Sequence, residues 1–193
     1  MKTIFLLLLV CCQLSAQDFI QTKEGNKITV VEGSIRVEPG NNRLTYKLPD
    51  VLKTKKIKYK DLSTASYKDR NFRTVEKDGK TRGYFIMADA NGKQLGVLPA
   101  KRIVNKGGFD VPYKRYELAI IGKDNTVETL VFTDVNNPKN IALREQARNL
   151  IIQQFGDCPT ILERLKSFQN TDKKLEHSDV AKFLDDPYQI ICK

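Results

Sequence analysis

Gly83-Tyr84-Phe85-Ile86-Met87-Ala88-Asp89-Ala90-Asn91-Gly92-Lys93-Gln94-Leu95-Gly96-Val97-Leu98 is the stretch that decides the fold. Its first run is short, apolar, and rich in aromatic and branched side chains. Asp89-Ala90-Asn91-Gly92 is a cluster of turn-forming residues, and a second apolar run returns from it, so the segment reads as a β-hairpin. Arg115 to Ile121 and Thr126 to Thr133 repeat the pattern around Gly122 to Asn125. In Tyr84-Phe85-Ile86-Met87 and Leu118-Ala119-Ile120-Ile121 every residue is apolar. A strand of that kind has both faces covered, which places it centrally in a sheet packed by helices.

Working outward, the same signals run from residue 18 to residue 134. Phe19 to Lys23 and Lys27 to Glu32 flank Glu24-Gly25-Asn26, and Arg36 to Glu38 and Leu44 to Leu48 flank Pro39-Gly40-Asn41-Asn42. Asn71 to Glu76 and Arg82 to Ala88 flank Lys77-Asp78-Gly79-Lys80. Together they predict a local antiparallel meander. Lys55 to Lys60 alternates, so Ile57 and Tyr59 should point inward while Lys56, Lys58 and Lys60 share the wet face, either as a lysine-protected edge or as a secondary basic binding face.

Asn136-Asn137-Pro138 then offers a helix cap followed by a first-turn proline. An amphipathic helix is expected over 138–155, with Ile141, Ala147, Leu150, Ile151 and Phe155 inward, Arg144, Glu145, Arg148 and Gln153 outward, and Gly156 as its stop. A shorter helix over 159–168 carries Ile161, Leu162, Leu165 and Phe168 on one stripe. The expected fold is α+β: an antiparallel meander, open or curled toward a barrel, packed by two C-terminal helices. One globular domain spans 17–168 and a tail spans 169–193, with a polar connector over Gln169 to Glu176, a short helix over Ser178 to Leu184, and Tyr188, Ile190 and Ile191 docked on the body.

The ends bound the setting. Met1 to Ala16 has a lysine, an apolar run from Ile4 to Val10 and a small-residue finish, the pattern of a cleaved export signal. That run is too short to cross a bilayer, and no later stretch approaches the roughly 20 residues required. Cleavage leaves Cys158 and Cys192, an even count in an oxidising compartment, so a disulfide that tethers the tail is expected. The competing reading is a reactive thiol at Cys158 on a helix start. The formal net charge is +10, and only Lys2 would be lost with the signal. Outside the cytosol a basic protein meets anionic envelope components or other exported proteins; nucleic acid is not an expected partner.

Catalytic patterns are scarce. His177 is the only histidine and sits in the polar connector, so a zinc site with two histidines is excluded and a histidine triad would have to recruit the tail. No phosphate-binding loop, dinucleotide fingerprint or Cys-x-x-Cys occurs, so no cofactor, metal or catalytic residue is assigned. A carboxylate-dependent hydrolase acting on envelope carbohydrate or peptide is the alternative; it would need Asp89, Asp134, Asp185 or Asp186 brought together, and the absence of tryptophan weighs against sugar stacking. Lys101 to Arg115 reads as a long connection between strands, hinged at Gly107-Gly108. It gathers Lys101, Arg102, Lys106, Lys114 and Arg115 around Phe109 and Tyr113, either as a basic aromatic loop for acidic ligands or as a connector whose aromatics cap the core.

The signal end Leu14-Ser15-Ala16-Gln17, the segments Gly83 to Ala88 and Tyr116 to Ile121, and Phe155-Gly156-Asp157-Cys158-Pro159 leading into Leu162-Glu163-Arg164-Leu165 give the chain its resemblance. It resembles small exported proteins of unknown function from Gram-negative bacteria. The resemblance implies a periplasmic or secreted setting and no particular activity. The expected role is therefore a non-enzymatic binding or interaction module of the envelope, with the basic aromatic segment as its contact surface.

Overall fold

The computed structural model describes residues 17–67, 70–167, 179–185 and 189–192. The segment expected to be an export signal, Phe168, the connector with His177, and Asp186 and Tyr188 lie outside them.

Among the described residues the chain forms two sheets. The larger runs β11 (Val127–Thr133), β10 (Phe109–Ile121), β9 (Lys93–Lys106), β8 (Lys80–Ala90), β7 (Arg70–Lys77), β6 (Leu62–Tyr67), β1 (Phe19–Thr22), β2 (Lys27–Thr29). Its long members follow one another in sequence as antiparallel hairpins. The smaller sheet is β3 (Arg36–Glu38), β4 (Arg43–Tyr46), β5 (Lys55–Lys58). The expected hairpins are present, but β3 to β5 leave the main sheet, which no local turn or strand signal announces. Buried Ile35, Leu44, Tyr46 and Tyr59 instead pack against Ile20, Leu62, Tyr67 and Phe72 of the larger sheet. Gly83 makes room for this: a Cβ there would lie 2.3 Å from the Phe72 ring.

The larger sheet is curled but open. Its concave side is crossed by the Lys77 ammonium, which donates to Thr129 from β7 to β11, although three strands separate them. The two continuous apolar runs are covered on both faces, as expected. Tyr84, Ile86, Ala119 and Ile121 fill the concave side, while Met87, Leu118 and Ile120 join the core under the helices.

Helix α1 (Pro138–Phe155) begins where the cap predicts: the Asn137 side chain accepts from the Asn140 N–H at 2.9 Å, and Pro138 follows. Gly156 ends it in a right-handed conformation rather than the left-handed one typical of a glycine stop. Ala147, Ile151 and Phe155 bury against the sheet together with Ile161 and Leu165 of α2 (Pro159–Ser167). Arg144 is a correction. Expected on the wet face, it is 2% exposed and continues the buried stripe of α1.

The Cys158–Cys192 disulfide is present, with Cα atoms 5.2 Å apart. It holds the tail, in which α3 (Asp179–Asp185) buries Val180, Phe183 and Leu184, and β12 (Ile190–Ile191) adds to β8 as a parallel strand. Ile190 docks as expected, whereas Ile191 is 70% exposed, because alternate residues of a strand face opposite ways. No described helix is long and apolar enough to cross a membrane.

Candidate binding surface

The segment from Lys101 to Arg115 is not a loop. β9 and β10 pair without a break from Ile121 opposite Gln94 to Phe109 opposite Lys106, and Gly107-Gly108 closes the hairpin with φ of +60° and +89°. Those dihedrals are what a two-residue hairpin turn asks of its central residues. The signal was present in the sequence as Gly-Gly between two runs of high β propensity.

The outer part of this hairpin leaves the sheet. β8 pairs with β9 only between Ala90 opposite Lys93 and Phe85 opposite Val97, and β11 leaves β10 at Arg115 opposite Thr133. Beyond those points the two strands pair only with each other and form an arm. Residues opposite one another share a face, so one face of the arm carries Arg102 with Tyr113, Val104 with Val111, and Lys106 with Phe109. The other carries Lys101 with Lys114 and Ile103 with Pro112. Phe109 is 77% exposed and Ile103 69%, so neither caps the core.

The seven candidate residues therefore divide in two. Lys101, Arg102, Lys106 and Phe109 are exposed on the arm, while Tyr113, Lys114 and Arg115 are half-buried at its root. Lys114 Nζ is 2.6 Å from Asp185 of α3, and the Lys114 backbone N–H donates to Asp134 at 2.9 Å. Arg115 turns back toward Glu117, 3.8 Å away. Of the secondary basic face, Lys56 and Lys58 are exposed on the edge strand β5, but the strand ends at Lys58. Lys60 falls in a short 3-10 turn that buries Tyr59, so the three lysines do not form one strand face. None of them lines the clefts at the arm.

Two buried polar clusters anchor the root. On the concave side Glu117, 4% exposed, accepts from the Tyr84 hydroxyl at 2.8 Å and from Arg82 at 3.4 Å. Tyr84 reaches it by passing over Gly96, where a Cβ would lie 2.9 Å from the Tyr84 Cβ. Burial first, and then the Glu117 carboxylate, push the Tyr84 phenol well above its ordinary range. On the other side Tyr116 is raised by burial and by the carboxylates of Asp185 and Asp134. Arg144 donates to Asn136 at 2.9 Å, and burial holds its pKa below the usual guanidinium value.

The fold thus brings Asp134 and Asp185 together, while Asp89 lies apart and accepts from Gln94. Both clustered carboxylates are acceptors for Lys114, a geometry that fastens β10 to α3 and to the end of β11. Cys158 is bridged and buried, which removes the thiol reading. Among the described residues no group of three or more His, Cys, Asp or Glu side chains is placed to hold a metal ion.

Beside the root, where β8 and β9 part, lies a cleft of about 280 Å³. Phe85, Pro99 and Leu184 form its walls, Arg70 and Lys101 supply positive charge at its border, and Lys114 there is paired with Asp185. The Arg70 guanidinium stands 5.8 Å from the Phe85 ring centroid. A neighbouring hollow shares Arg70, Phe85 and Lys101 and adds Tyr67 and Arg102. Arg70, Tyr67 and Phe85 were not singled out in the sequence, because their nearness to Lys101 depends on how the sheet parts. No protein-family model matches the chain, and no curated protein or solved structure matches it either.

Proposed function

We propose that this protein is an exported interaction module of the bacterial envelope that holds an anionic ligand or partner on the basic arm and the cleft at its root. The observation that carries this reading is the arm itself. It extends beyond the sheet with Phe109 and Ile103 in solvent and Lys101, Arg102 and Lys106 between them, although the body buries comparable residues on the same two strands. Exposed apolar side chains among cations fit a surface that is desolvated only in a complex. The apparent export signal supports the setting, and the overall charge of +10 favours anionic partners.

Co-sedimentation of the purified protein with anionic phospholipid vesicles and with envelope fractions tests it, at low salt and at about 0.5 M salt, where screening acts within a few ångströms. Salt-sensitive pelleting, lost when Lys101, Arg102 and Lys106 are all replaced by Glu, is the expected result. Protein that stays in the supernatant at every salt concentration, or pelleting indifferent to that triple charge reversal, overturns the proposal.

A further inference from the structure

The backbone at the root of the arm reveals a free strand edge. Lys114 directs both its backbone groups away from β9: its N–H donates to the Asp134 carboxylate, and its C=O accepts from the Asp134 N–H at 3.0 Å. Lys114 stands opposite Lys101, so this is a non-hydrogen-bonded pair of the antiparallel ladder, in which each residue points its N–H and C=O outward. It follows that Lys101 presents its own N–H and C=O on the far side of β9. The alternation of the ladder gives Ile103 and Asn105 the same orientation. Among the described residues the pairing of β8 with β9 ends at Val97, and no turn or loop backbone bond reaches any of the three. The opposite edge of the arm is protected differently: Pro112 stands where β10 would otherwise direct an N–H outward.

An edge of this kind invites another strand, and its side chains restrict which one. Along β9 the order is Lys101, Arg102, Ile103, Val104, Asn105, Lys106. Arg70 adds a further cation across the cleft. A second copy of this chain would crowd two sets of Lys101, Arg102 and Lys106 onto one pair of adjacent strands, an unfavourable accumulation of like charge even in the register that sets Ile103 opposite Ile103. Acidic residues beside Lys101 and Arg102 and apolar ones beside Ile103 and Val104 are complementary instead.

We propose that the outer edge of β9 is a docking site for an extended acidic segment of a partner protein, which adds as a strand between the arm and the Arg70 side of the cleft. This deepens the function proposed above and rests on it. Main-chain hydrogen bonds to Lys101, Ile103 and Asn105 give the register, and the cations select acidic sequences.

The probe is a dye-labelled, end-capped peptide, Thr-Glu-Glu-Val-Val-Glu-Glu-Thr, whose palindromic order serves both strand directions, and binding is read by fluorescence anisotropy. The same peptide methylated at alternate backbone nitrogens keeps every side chain and charge but cannot pair, and its affinity should fall by about tenfold or more, the worth of two or three hydrogen bonds. Ile103→Pro should cost a similar factor, whereas Ile103→Ala, which keeps the N–H, should cost little. The proline leaves the β9–β10 ladder intact, because the Ile103 N–H does not take part in it.

Equal binding of the methylated peptide would overturn strand addition in favour of a purely ionic contact. Absence of peptide binding by a protein that still pellets with anionic vesicles would overturn this inference and leave the proposed function standing; loss of both would remove both. Self-association through the arm, seen in sedimentation velocity and abolished by Ile103→Pro, would make a second copy the occupant and likewise defeat the proposal.

Discussion

β9 and β10 pass through two environments within one unbroken ladder. From Gln94 to Val97 β9 is paired with β8, and from Arg115 to Ile121 β10 is paired with β11, and these parts bury Leu95, Val97, Leu118 and Ile120. From Lys101 to Tyr113 the same strands pair with no third strand among the described residues, and they carry Ile103 and Phe109 in solvent. The backbone geometry is continuous, and only the company of the side chains changes. An isolated two-stranded hairpin is marginal in water, so the arm depends on its root for order. The root supplies that order through Lys114 with Asp185 and Asp134, and through Glu117 with Tyr84 and Arg82. A stable body and an accommodating contact surface are thereby built from one pair of strands.

The sharpest way to separate the two halves is to truncate one apolar residue in each. Leu118 is fully buried beneath the helices, and Leu118→Ala should cost about 2–5 kcal/mol through lost transfer free energy and the cavity left behind. Urea denaturation measures it; a cost under about 1 kcal/mol would mean that the inner half is not the packed body described. The disulfide comes next. Cys158 and Cys192 are 34 residues apart, and replacing both by Ser should remove about 3–4 kcal/mol by freeing the unfolded chain. The arm should be spared in that variant, because among the described residues the tether reaches the root through Leu184 and Asp185 of α3, at one end of the arm. Binding that falls in parallel with stability would show that the tail shapes the arm itself.

How far the sequence foretold this division follows from the range of the interactions involved. Turns and caps are local, so Pro39-Gly40-Asn41-Asn42, Asn91-Gly92 and Asn137-Pro138 were legible, as were the strand pairs and the helix they bound. The disulfide was legible by counting cysteines. Long-range partnership was not: Arg144 reads as a solvent residue until Asn136 and the tail close over it, and nothing near Ile190 announces a parallel strand beside β8. The arm is hard to read for another reason. Lys101-Arg102-Ile103-Val104-Asn105-Lys106 pairs cations and apolar residues in twos rather than alternating them, because a hairpin without a neighbouring sheet has no apolar face to bury, and Gly107-Gly108 is then equally compatible with a hinge. The candidate residues on it were identifiable, while Arg70 and the free β9 edge required the fold.

Alkaline titration probes the body while leaving the arm aside. The phenols of Tyr46, Tyr59, Tyr67, Tyr84 and Tyr116 are all raised above the ordinary value of 10.0, with desolvation the leading cause, and Tyr67 is pushed up to about 12. A group whose folded pKa is raised contributes stability that is fully present below its unfolded pKa and is lost as pH climbs toward the folded value. Stability should therefore hold up to about pH 10 and fall beyond it, with phenolate absorbance from these five rings appearing together with loss of the sheet signal in circular dichroism. Ionisation of all five near pH 10 in a protein that keeps its sheet would contradict the burial of Tyr84 and Tyr116 beside the inner half and of Tyr46, Tyr59 and Tyr67 under the smaller sheet.

The smallest expected change in stability is also the most informative about the arm. Phe109 is large, aromatic and next to the Gly107-Gly108 turn, so sequence alone allows it to be either a core cap or a contact residue. At 77% exposure it has little buried apolar area to lose on truncation, and Phe109→Ala should change the unfolding free energy measured in urea by no more than about 0.5 kcal/mol. Its neighbour across the ladder is Lys106, so the ring stands where an anionic partner drawn in by the cations would desolvate it. Salt-sensitive pelleting by the variant should weaken several-fold while the denaturation curve stays in place. If stability and binding fell together, Phe109 would be holding the hairpin shut, and the arm would be an extension of the body whose exposed side chains need another explanation.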